Sequence, residues 1–317
     1  MAVSGTVPTE LGDKKIRDLL MQYAVPAIIA MTASSLYNMV DSIFIGHIKD
    51  VGSYAISGLA VTFPLMNIST ALGTLVGVGA STILSMLLGQ RNYQAANKVI
   101  INEVMLNVII GTLYTVITLV FLDPILMFFG ASANTLPYAR DYMVIILIGN
   151  VITHLYFGLN NIIRASGNPK LAMALTIFTV VSNTILDPIF IFWLDMGIKG
   201  AALATVICQM LALVYTVRYF LSGKNYLRLP RRMSEYRLDW RIAKDSLTVG
   251  MGPFLMNSAA CIVTMFINQQ LSKYGGDLAI GAYGIVNRFT FLFIMVNMGL
   301  NQGMQPIAGY NFGARKY

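Results

Sequence analysis

The feature that most constrains this chain is a series of long apolar runs. A membrane-spanning helix needs about 20 mainly apolar residues, and the sequence offers such runs at 22–46, 55–88, 99–122, 138–165, 171–194, 199–221, 246–271 and 278–310. Charged residues make up only 11% of the chain, against about a quarter in a soluble globular protein. The sequence therefore predicts an all-α, polytopic membrane protein with eight spans.

Lys and Arg are concentrated in alternate connections between these runs, above all in the segment 224–244. The connections on the other side carry only Lys49, Arg140, Lys199 and Lys273. Because positively charged loops stay in the cytoplasm, we expect a cytoplasmic N-terminus in a bacterial-type plasma (inner) membrane. The same bias accounts for the basic isoelectric point without nucleic acid. The segment 224–244 either sets this topology or also contacts anionic membrane lipids.

The chain partly repeats itself. LLGQRNY at 87–93 returns as NFGARKY at 311–317, and the same offset relates Gly79 to Gly303. With a gap of three residues in the loop, Pro26 corresponds to Pro253 and Asp41 to Asn268. A unit of about six spans leaves both copies in the same orientation, so the repeat is parallel, as in several transporter families.

The repeat predicts a division of the chain into lobes. We expect an N-terminal six-helix lobe at 1–222, a basic cytoplasmic inter-lobe loop at 223–245, and the first two helices of an incomplete C-terminal lobe at 246–317. The second copy stops after its second span. A C-terminally truncated sequence is expected on this ground, with a natural eight-span protein as the alternative.

Several segments, in this order, resemble the MATE (multidrug and toxic compound extrusion) transporters and their DinF/MepA-like branch. They are LLMQYAVPAIIAM, VDSIFIG, GVGASTILSMLLGQRNYQAA, RASGNPK and NTILDPIFIFWLDMGIKGAALAT. The resemblance implies a two-lobe helical bundle with parallel six-helix repeats around a central cavity, of which about eight of twelve helices are present. It also implies secondary-active efflux of amphipathic or cationic drugs in exchange for H⁺ or Na⁺.

Two aspartates stand inside the apolar runs. Asp41 lies 15 residues beyond Pro26, about 22 Å along a helix, and Asp187 lies at a similar depth. An ionised Asp at the centre of a spanning helix costs roughly 2.5–3.5 kcal/mol on insertion scales. Neither has a Lys or Arg within a helical turn, so each is relieved by taking up a proton or by coordinating a cation.

The resemblance implies a cation-coupling network of five residues, present here as Asp41, Tyr142, Asn183, Asp187 and Thr205. A Na⁺ ion would then be held by Asp41, Asn183 and Asp187. For Asp187 the alternative is a kink device beside Pro188. Tyr142, Asn183 and Thr205 are equally explained as interhelical hydrogen-bonding groups.

Cation binding is expected to change the packing of the N-terminal lobe, with Pro26 as the hinge of the first helix. Polar residues along the spans are candidates for a substrate cavity: Tyr37, Asn38, Asn150, Asn160, Asn161, Asn257, Asn268, Arg288 and Asn301. The expected partners are small-molecule drugs or organic cations and membrane lipids, with a monomer as the expected state.

Signatures of an enzyme are absent from the sequence, since His47 and His154 lie too far apart for a helical metal pair and no phosphate-binding loop occurs. No cofactor is expected besides the coupling ion. Two alternatives remain open. One is a lipid-linked oligosaccharide flippase of the related superfamily, for which we expect a strongly basic cavity. The other is a membrane receptor or scaffold that does not transport.

Overall fold

The computed structural model describes residues 10–48, 52–222, 225–230 and 232–316, and these residues are almost entirely helical. The α-helices are α1 (Glu10–Asp13), α2 (Ile16–Gly46), α3 (Gly52–Gly89), α4 (Tyr93–Val120), α5 (Leu122–Phe128), α6 (Leu136–Ala165), α7 (Pro169–Pro188), α8 (Ile198–Leu221) and α9 (Trp240–Gly313). A π-helix (Ile189–Trp193) follows α7, and a short 3₁₀ helix (Met233–Glu235) precedes α9.

Seven helical stretches in the described residues are long and apolar enough to cross a membrane, the last of them being Trp240–Val263. They match the first seven runs predicted from the sequence, and the all-helical fold class is confirmed. The eighth run, 278–310, begins among residues whose side chains the structure does not describe.

Short connections at one end of the bundle join antiparallel helices. Arg91, with φ of 58°, lies in the turn between α3 and α4, and the Asn92 side chain caps α4 by accepting a hydrogen bond from the Ala95 amide at 3.1 Å. Gly167, with φ of 100°, ends α6 before Pro169 begins α7. We call this end, where α2, α4, α7 and α9 begin, the basic end, and the other the distal end.

The helical hydrogen-bond pattern of α9 continues where the sequence predicts two helices, 246–271 and 278–310. No proline lies between Pro253 and Pro306, so every residue between them has the backbone N–H that a helix requires. Both ends of α9 nevertheless pack along α3. Gly250 contacts Leu75 and Gly313 contacts Met86, only 11 residues apart on α3, whereas a straight helix would separate the two glycines by about 95 Å.

The direction of packing shows that α9 has two limbs. In the first limb, Ser246 lies against Gly79 and Gly250 against Leu75, so the limb is antiparallel to α3. In the second limb, Gly309 lies against Ser85 and Gly313 against Met86, so it runs parallel to α3. The chain therefore reverses direction between Gly250 and Gly309, which gives the two opposed spans that the hydropathy predicts.

The second limb of α9 crosses α3 at the basic end with backbone in direct contact. A methyl group on Gly89 would lie 2.0 Å from the Tyr310 carbonyl oxygen, and one on Gly313 would lie 2.0 Å from the Met86 carbonyl oxygen. The sequence repeat relates Gly89 to Gly313 and Met86 to Tyr310. The two contacts are therefore copies of each other, which indicates a local twofold axis between the repeated helices.

Two large apolar clusters and one small one, the latter formed by Val76, Leu106 and Ala243, lie between the described helices. One large cluster lies at the basic end and includes Leu84, Ile100 and Phe220. The other lies at the distal end and includes Ile45, Leu126 and Met143. Buried polar side chains are found beside the distal cluster and in a layer between the two large clusters, and these polar positions are where function is to be sought.

Candidate functional site

The two predicted aspartates come together at the distal end of the bundle. Asp41 lies five residues before the end of α2, and Asp187 is the next-to-last residue of α7. Their side chains are 6% and 0% exposed. The α2 and α7 helices pack against each other, and the two carboxyl groups are close enough to interact electrostatically. A pair of buried carboxyls is thus shared between two helices.

Polar groups from four helices surround this pair. Asn183, one turn before Asp187, donates a hydrogen bond from Nδ2 to Asp187 Oδ1 at 2.9 Å. Tyr37, one turn before Asp41, contacts the Thr205 hydroxyl of α8 at 3.1 Å. Tyr142 of α6 is 3% exposed and interacts electrostatically with both carboxyls. All five residues of the implied network therefore lie around one site, with Tyr37 as a sixth.

The acceptors at this site outnumber the donors. Asp41 Oδ1, Asp187 Oδ2 and Asn183 Oδ1 are buried and have no hydrogen-bond partner among the described residues. The ion pairs found in the described part of the chain involve other acids. Burying an unpaired carboxylate is costly, because the lost hydration is not replaced. The arrangement therefore suits a bound proton or an oxygen-liganded cation.

A Na⁺ ion would fit this donor set, since alkali and other hard cations prefer oxygen ligands from carboxylates and amides. The unpartnered oxygens belong to the same three residues that the resemblance implies for such an ion, Asp41, Asn183 and Asp187. A proton fits as well, because a protonated carboxyl supplies the donor that the site lacks.

The backbone after Asp187 departs from regular α-helix. Pro188 has no amide to donate, and the π-helix Ile189–Trp193 follows directly. The Phe190 backbone packs against Gly200 of α8, where a methyl group would lie 2.7 Å from the Phe190 carbonyl oxygen. Asp187 thus accepts from Asn183 at a helix irregularity, and π-helical segments of this kind are frequent at functional sites.

The predicted cavity residues are distributed over several environments. Asn150 is buried within the bundle, where Oδ1 accepts from Ser69 at 2.6 Å. Asn160 is also buried and donates to the Ala172 carbonyl at 3.0 Å. The Asn38 and Asn301 side chains are exposed. Asn150 and Asn160 therefore tie helices to one another, and Asn160 and Asn161 both accept hydrogen bonds from Arg164.

Three further predicted residues lie on α9. Asn257 is partly buried on the first limb. Asn268 and Arg288 fall outside the residues whose side chains the structure describes. Pro26, the predicted hinge, is buried within α2, which continues as a helix on both sides of it.

The sequence interpretation missed a polar contact between α6 and the second limb of α9. Arg164, near the end of the predicted run 138–165, lies in the last turn of α6 and is 5% exposed. Its Nη1 donates to Asn161 Oδ1 at 3.2 Å and to Gln302 Oε1. The sequence contains a signal for this contact, namely an arginine at the end of an apolar run. Such an arginine is buried when another helix covers the end of that run.

Comparison with known proteins identifies the family. The model of the MatE family matches residues 26–189 and 253–317. The multidrug export protein MepA of Staphylococcus aureus (strain MSSA476) is 31% identical over 297 residues, covering 94% of this chain and 65% of MepA. MepA of Staphylococcus haemolyticus (strain JCSC1435) is 32% identical over 304 residues, covering 96% of this chain and 66% of that protein.

A solved structure shares the fold over nearly the whole chain. It is a multidrug resistance MATE family transporter of the MOP superfamily in an outward-facing conformation, with a TM-score of 0.90 and 25% identity, covering 98% of this chain and 68% of that one. The present chain spans about two-thirds of the length of the relatives it matches. With the family model covering both repeats, this chain belongs to the MatE family of transporters.

Proposed function

We propose that this chain forms the cation-coupling part of a secondary-active antiporter that exports amphipathic or cationic drugs in exchange for H⁺ or Na⁺. The observation that carries the proposal is the carboxyl pair. Asp41 and Asp187 are both buried, each has an oxygen without a partner among the described residues, and the nearest hydroxyl groups cannot neutralise two negative charges. Multidrug export by the relatives named above supports the choice of drugs as substrates.

The bound cation would supply positive charge to the carboxyl pair. Asp187 and Asn183 would hold it from α7, and Asp41 would hold it from α2, so that its binding draws the two helices together. Because α2 contains Pro26, which lacks one backbone hydrogen bond, bending at that residue costs less than elsewhere in the helix. Cation binding would thereby bias the position of α2 between two states.

The second limb of α9 would transmit this movement. Ile28 of α2 packs directly on Gly299, and Ala24 packs on Gly303. These contacts lie immediately around Pro26, so a bend there changes how the two repeats meet. Alternating access of a central drug path follows from such a change between lobes.

The test is ethidium efflux by the full-length protein in liposomes under separately imposed H⁺ and Na⁺ gradients. Asp41→Asn and Asp187→Asn should each abolish gradient-driven efflux, since an amide cannot release a proton and binds a cation weakly. The protein level should stay unchanged, because the amide fills the same volume. The gradient that drives the unmodified protein identifies the coupling ion.

Asp195→Asn is the matched control. Asp195 is exposed, just beyond the π-helix, and its φ of 50° is one that asparagine adopts readily. This variant should transport normally. Full gradient-driven efflux by Asp41→Asn or Asp187→Asn would overturn the proposal, and efflux that needs neither gradient would point to a different energy source.

A further inference from the structure

A second group of buried ionisable side chains lies between the two large apolar clusters. Glu103 and Asn107 are one turn apart on α4, and both are 0% exposed. His154 of the neighbouring α6 is 2% exposed. A carboxyl, an amide and an imidazole are thus enclosed together in a span, and an enclosed ionisable residue in a membrane is by default a functional candidate.

Glycines make the space that these side chains occupy. A methyl group on Gly158 of α6 would lie 1.6 Å from Glu103 Oε1 and 2.6 Å from Asn107 Nδ2. Gly111 of α4 faces His154 of α6, and a methyl group on Gly111 would be 3.4 Å from His154 Nδ1. The α4 and α6 helices are antiparallel, so Glu103, Asn107 and His154 follow one another along a single seam.

The hydrogen bonds in the seam fix which nitrogen of His154 carries a proton. Ser69 Oγ donates its one hydrogen to Asn150 Oδ1 at 2.6 Å. The contact of 3.0 Å between Ser69 Oγ and His154 Nε2 therefore requires Nε2 to be the donor. In a neutral imidazole Nδ1 is then an acceptor, and it has no partner among the described residues.

Acceptors accumulate in the seam as a result. Asn107 Nδ2 donates to Glu103 Oε1, which leaves Glu103 Oε2, Asn107 Oδ1 and His154 Nδ1 without donors in the described part of the chain. One added proton would supply a donor. On the Glu103 carboxyl it would remove the buried negative charge, and on His154 it would create a cation to balance that charge. The seam therefore lacks a hydrogen-bond donor that one bound proton would supply.

Other charges on the packed elements leave Glu103 without a permanent counter-ion. The described α3 carries no charged side chain, and Arg164 of α6 donates to Asn161, Gln302 and Asn160. Just before α9, Asp239 pairs with Lys98 at 3.2 Å. The charged side chains in the first turns of α9 are exposed, namely Arg241, Lys244 and Asp245.

We propose that Glu103, Asn107 and His154 form a second proton-binding site, at which the Glu103 carboxyl gains and loses a proton during transport. Measured along the helices, Glu103 lies about 15 Å from the basic end and Asp187 about 27 Å. The seam thus stands between the distal carboxyl pair and the basic end, where a proton leaving toward that side would pass. The role in transport rests on the proposed antiport function, whereas the binding of a proton does not.

Infrared difference spectroscopy tests the proposal directly. The full-length protein, labelled with ¹³C in the glutamate carboxyl groups and held in lipid nanodiscs, is compared between acid and alkaline pH. The chain described here contains three glutamates, and Glu10 and Glu235 are exposed. We expect a ¹³C-shifted band of a protonated carboxyl group that persists to higher pH than the band of an exposed glutamate. This band should vanish in Glu103→Gln and remain in Glu235→Gln.

Two further variants keep the outcome decisive. His154→Gln should shift the pH at which the Glu103 band disappears, because it removes the neighbouring proton acceptor, and a merely structural role would not move that midpoint. The band should survive in the double variant Asp41→Asn with Asp187→Asn, even if efflux is lost. Recording the spectra in Na⁺ and in K⁺ tests whether a metal ion competes for the site.

Some results would overturn the proposal. A labelled spectrum that Glu103→Gln leaves unchanged would show that Glu103 does not exchange a proton. Displacement of the band by Na⁺ alone would replace the proton site with a sodium site. If Glu103→Gln does not fold, the His154→Gln midpoint decides the matter, since an unshifted band there excludes the pairing. Failure of ethidium efflux in the unmodified protein would contradict the antiport function while leaving the spectroscopic result standing.

Discussion

The two ends of this molecule use opposite means of bringing helices together. At the basic end, α3 and the second limb of α9 meet through glycines. A carbonyl oxygen of each helix occupies the space that a side chain on the other helix's glycine would fill. At the distal end, α2 and α7 meet through two buried carboxyls that lack full partners. The first contact is complete within the chain, whereas the second leaves buried carboxyl oxygens without a partner among the described residues.

The repeat sharpens this difference. Gly89 and Gly313 occupy equivalent places in the two copies, so the crossing contains each contact twice. Asp41 corresponds to Asn268 in the second copy, and the carboxyl pair therefore belongs to one copy alone. A symmetric contact is suited to joining the repeats, and an asymmetric charge is suited to changing the shape of one of them.

The largest effect is expected from closing the glycine crossing. Gly89→Ala or Gly313→Ala places a methyl group against a backbone carbonyl that has no rotamer by which to yield. Overpacking of a tight site costs typically 1–3 kcal/mol, occasionally more, and rigid backbone places this site at the upper end. The thermal unfolding temperature in detergent should fall markedly, and cross-linking between α3 and α9 should decrease.

Gly252→Ala provides the control for that experiment. Gly252 lies on the first limb of α9, and a methyl group there would contact nothing within 4 Å. Since alanine favours a helix over glycine by roughly 1 kcal/mol, this variant should be slightly more stable than the unmodified protein. Equal destabilisation by Gly89→Ala and Gly252→Ala would show that the crossing is not a tight contact.

A smaller effect of opposite sign is expected at the carboxyl pair. Asp187→Asn replaces a buried, incompletely paired carboxyl by a neutral group of the same size. Replacing buried charged groups by neutral groups of similar volume is often neutral or stabilising by about 1–4 kcal/mol, so the unfolding temperature in the absence of Na⁺ should rise. Its dependence on added Na⁺ should disappear if the pair binds that ion.

The exposed Asp195→Asn is again the comparison, and its unfolding temperature should match that of the unmodified protein with and without Na⁺. A decrease in stability for Asp187→Asn would mean that the carboxyl is satisfied in the folded protein. The two ends would then not differ in the way proposed.

Hydropathy predicts the spans well because a membrane helix has to satisfy its backbone internally and expose apolar side chains. The first seven runs were therefore predicted to within eight residues at either end. The continuous helical assignment of α9 was not predicted. Gly275 and Gly276 favour a break between two helices, but glycine does not forbid helical geometry. Periodicity and turn residues decide little where tertiary packing determines the path.

For the site, the sequence identified the carboxyls but not all of their neighbours. Asp41 and Asp187 stand out because charge is rare in an apolar run. Tyr142, Asn183 and Thr205 were placed there by family resemblance, and the structure brings them to the same end of the bundle. Glu103 carries the same signal as Asp41 but was not predicted, and only the contact with Gly158 and the hydrogen bond from Asn107 distinguish it from a lone charge.

A third variant tests how closely α8 is tied to the distal site. Tyr37→Phe removes the hydroxyl that contacts Thr205 at 3.1 Å and leaves the ring in place. Loss of one hydrogen bond of this kind costs about 0.5–1.5 kcal/mol. The unfolding temperature should fall slightly, and any cation-dependent stabilisation should weaken, because the phenol also interacts electrostatically with both carboxyls.

Thr205→Val is the partner variant, and a double-mutant cycle separates the contact from other effects of each change. If the two losses simply add, the hydroxyls do not stabilise each other. In that case α8 contributes to the distal site through packing alone.

The smallest effect is expected at the start of α9. The Lys98 ammonium, 3.2 Å from the Asp239 carboxyl, holds the pKa of Asp239 below its usual value. Because the folded-state pKa is the lower one, the pair stabilises the folded protein above the usual pKa of aspartate and loses this contribution as the pH falls through the folded value. Both side chains are substantially exposed, so the contribution at neutral pH is slight and is screened by salt.

Asp239→Asn should therefore lower the unfolding temperature only at low ionic strength and neutral pH, with the difference vanishing in strongly acid buffer or at high salt. The amide of Asp239 also donates to Asn102 Oδ1 at 2.9 Å, and this backbone contact survives the substitution. A large loss of stability that persists at high salt would show that the Asp239 side chain holds α9 against α4 through a contact that salt does not screen. Attachment of the first limb would then not depend on the exposed ion pair.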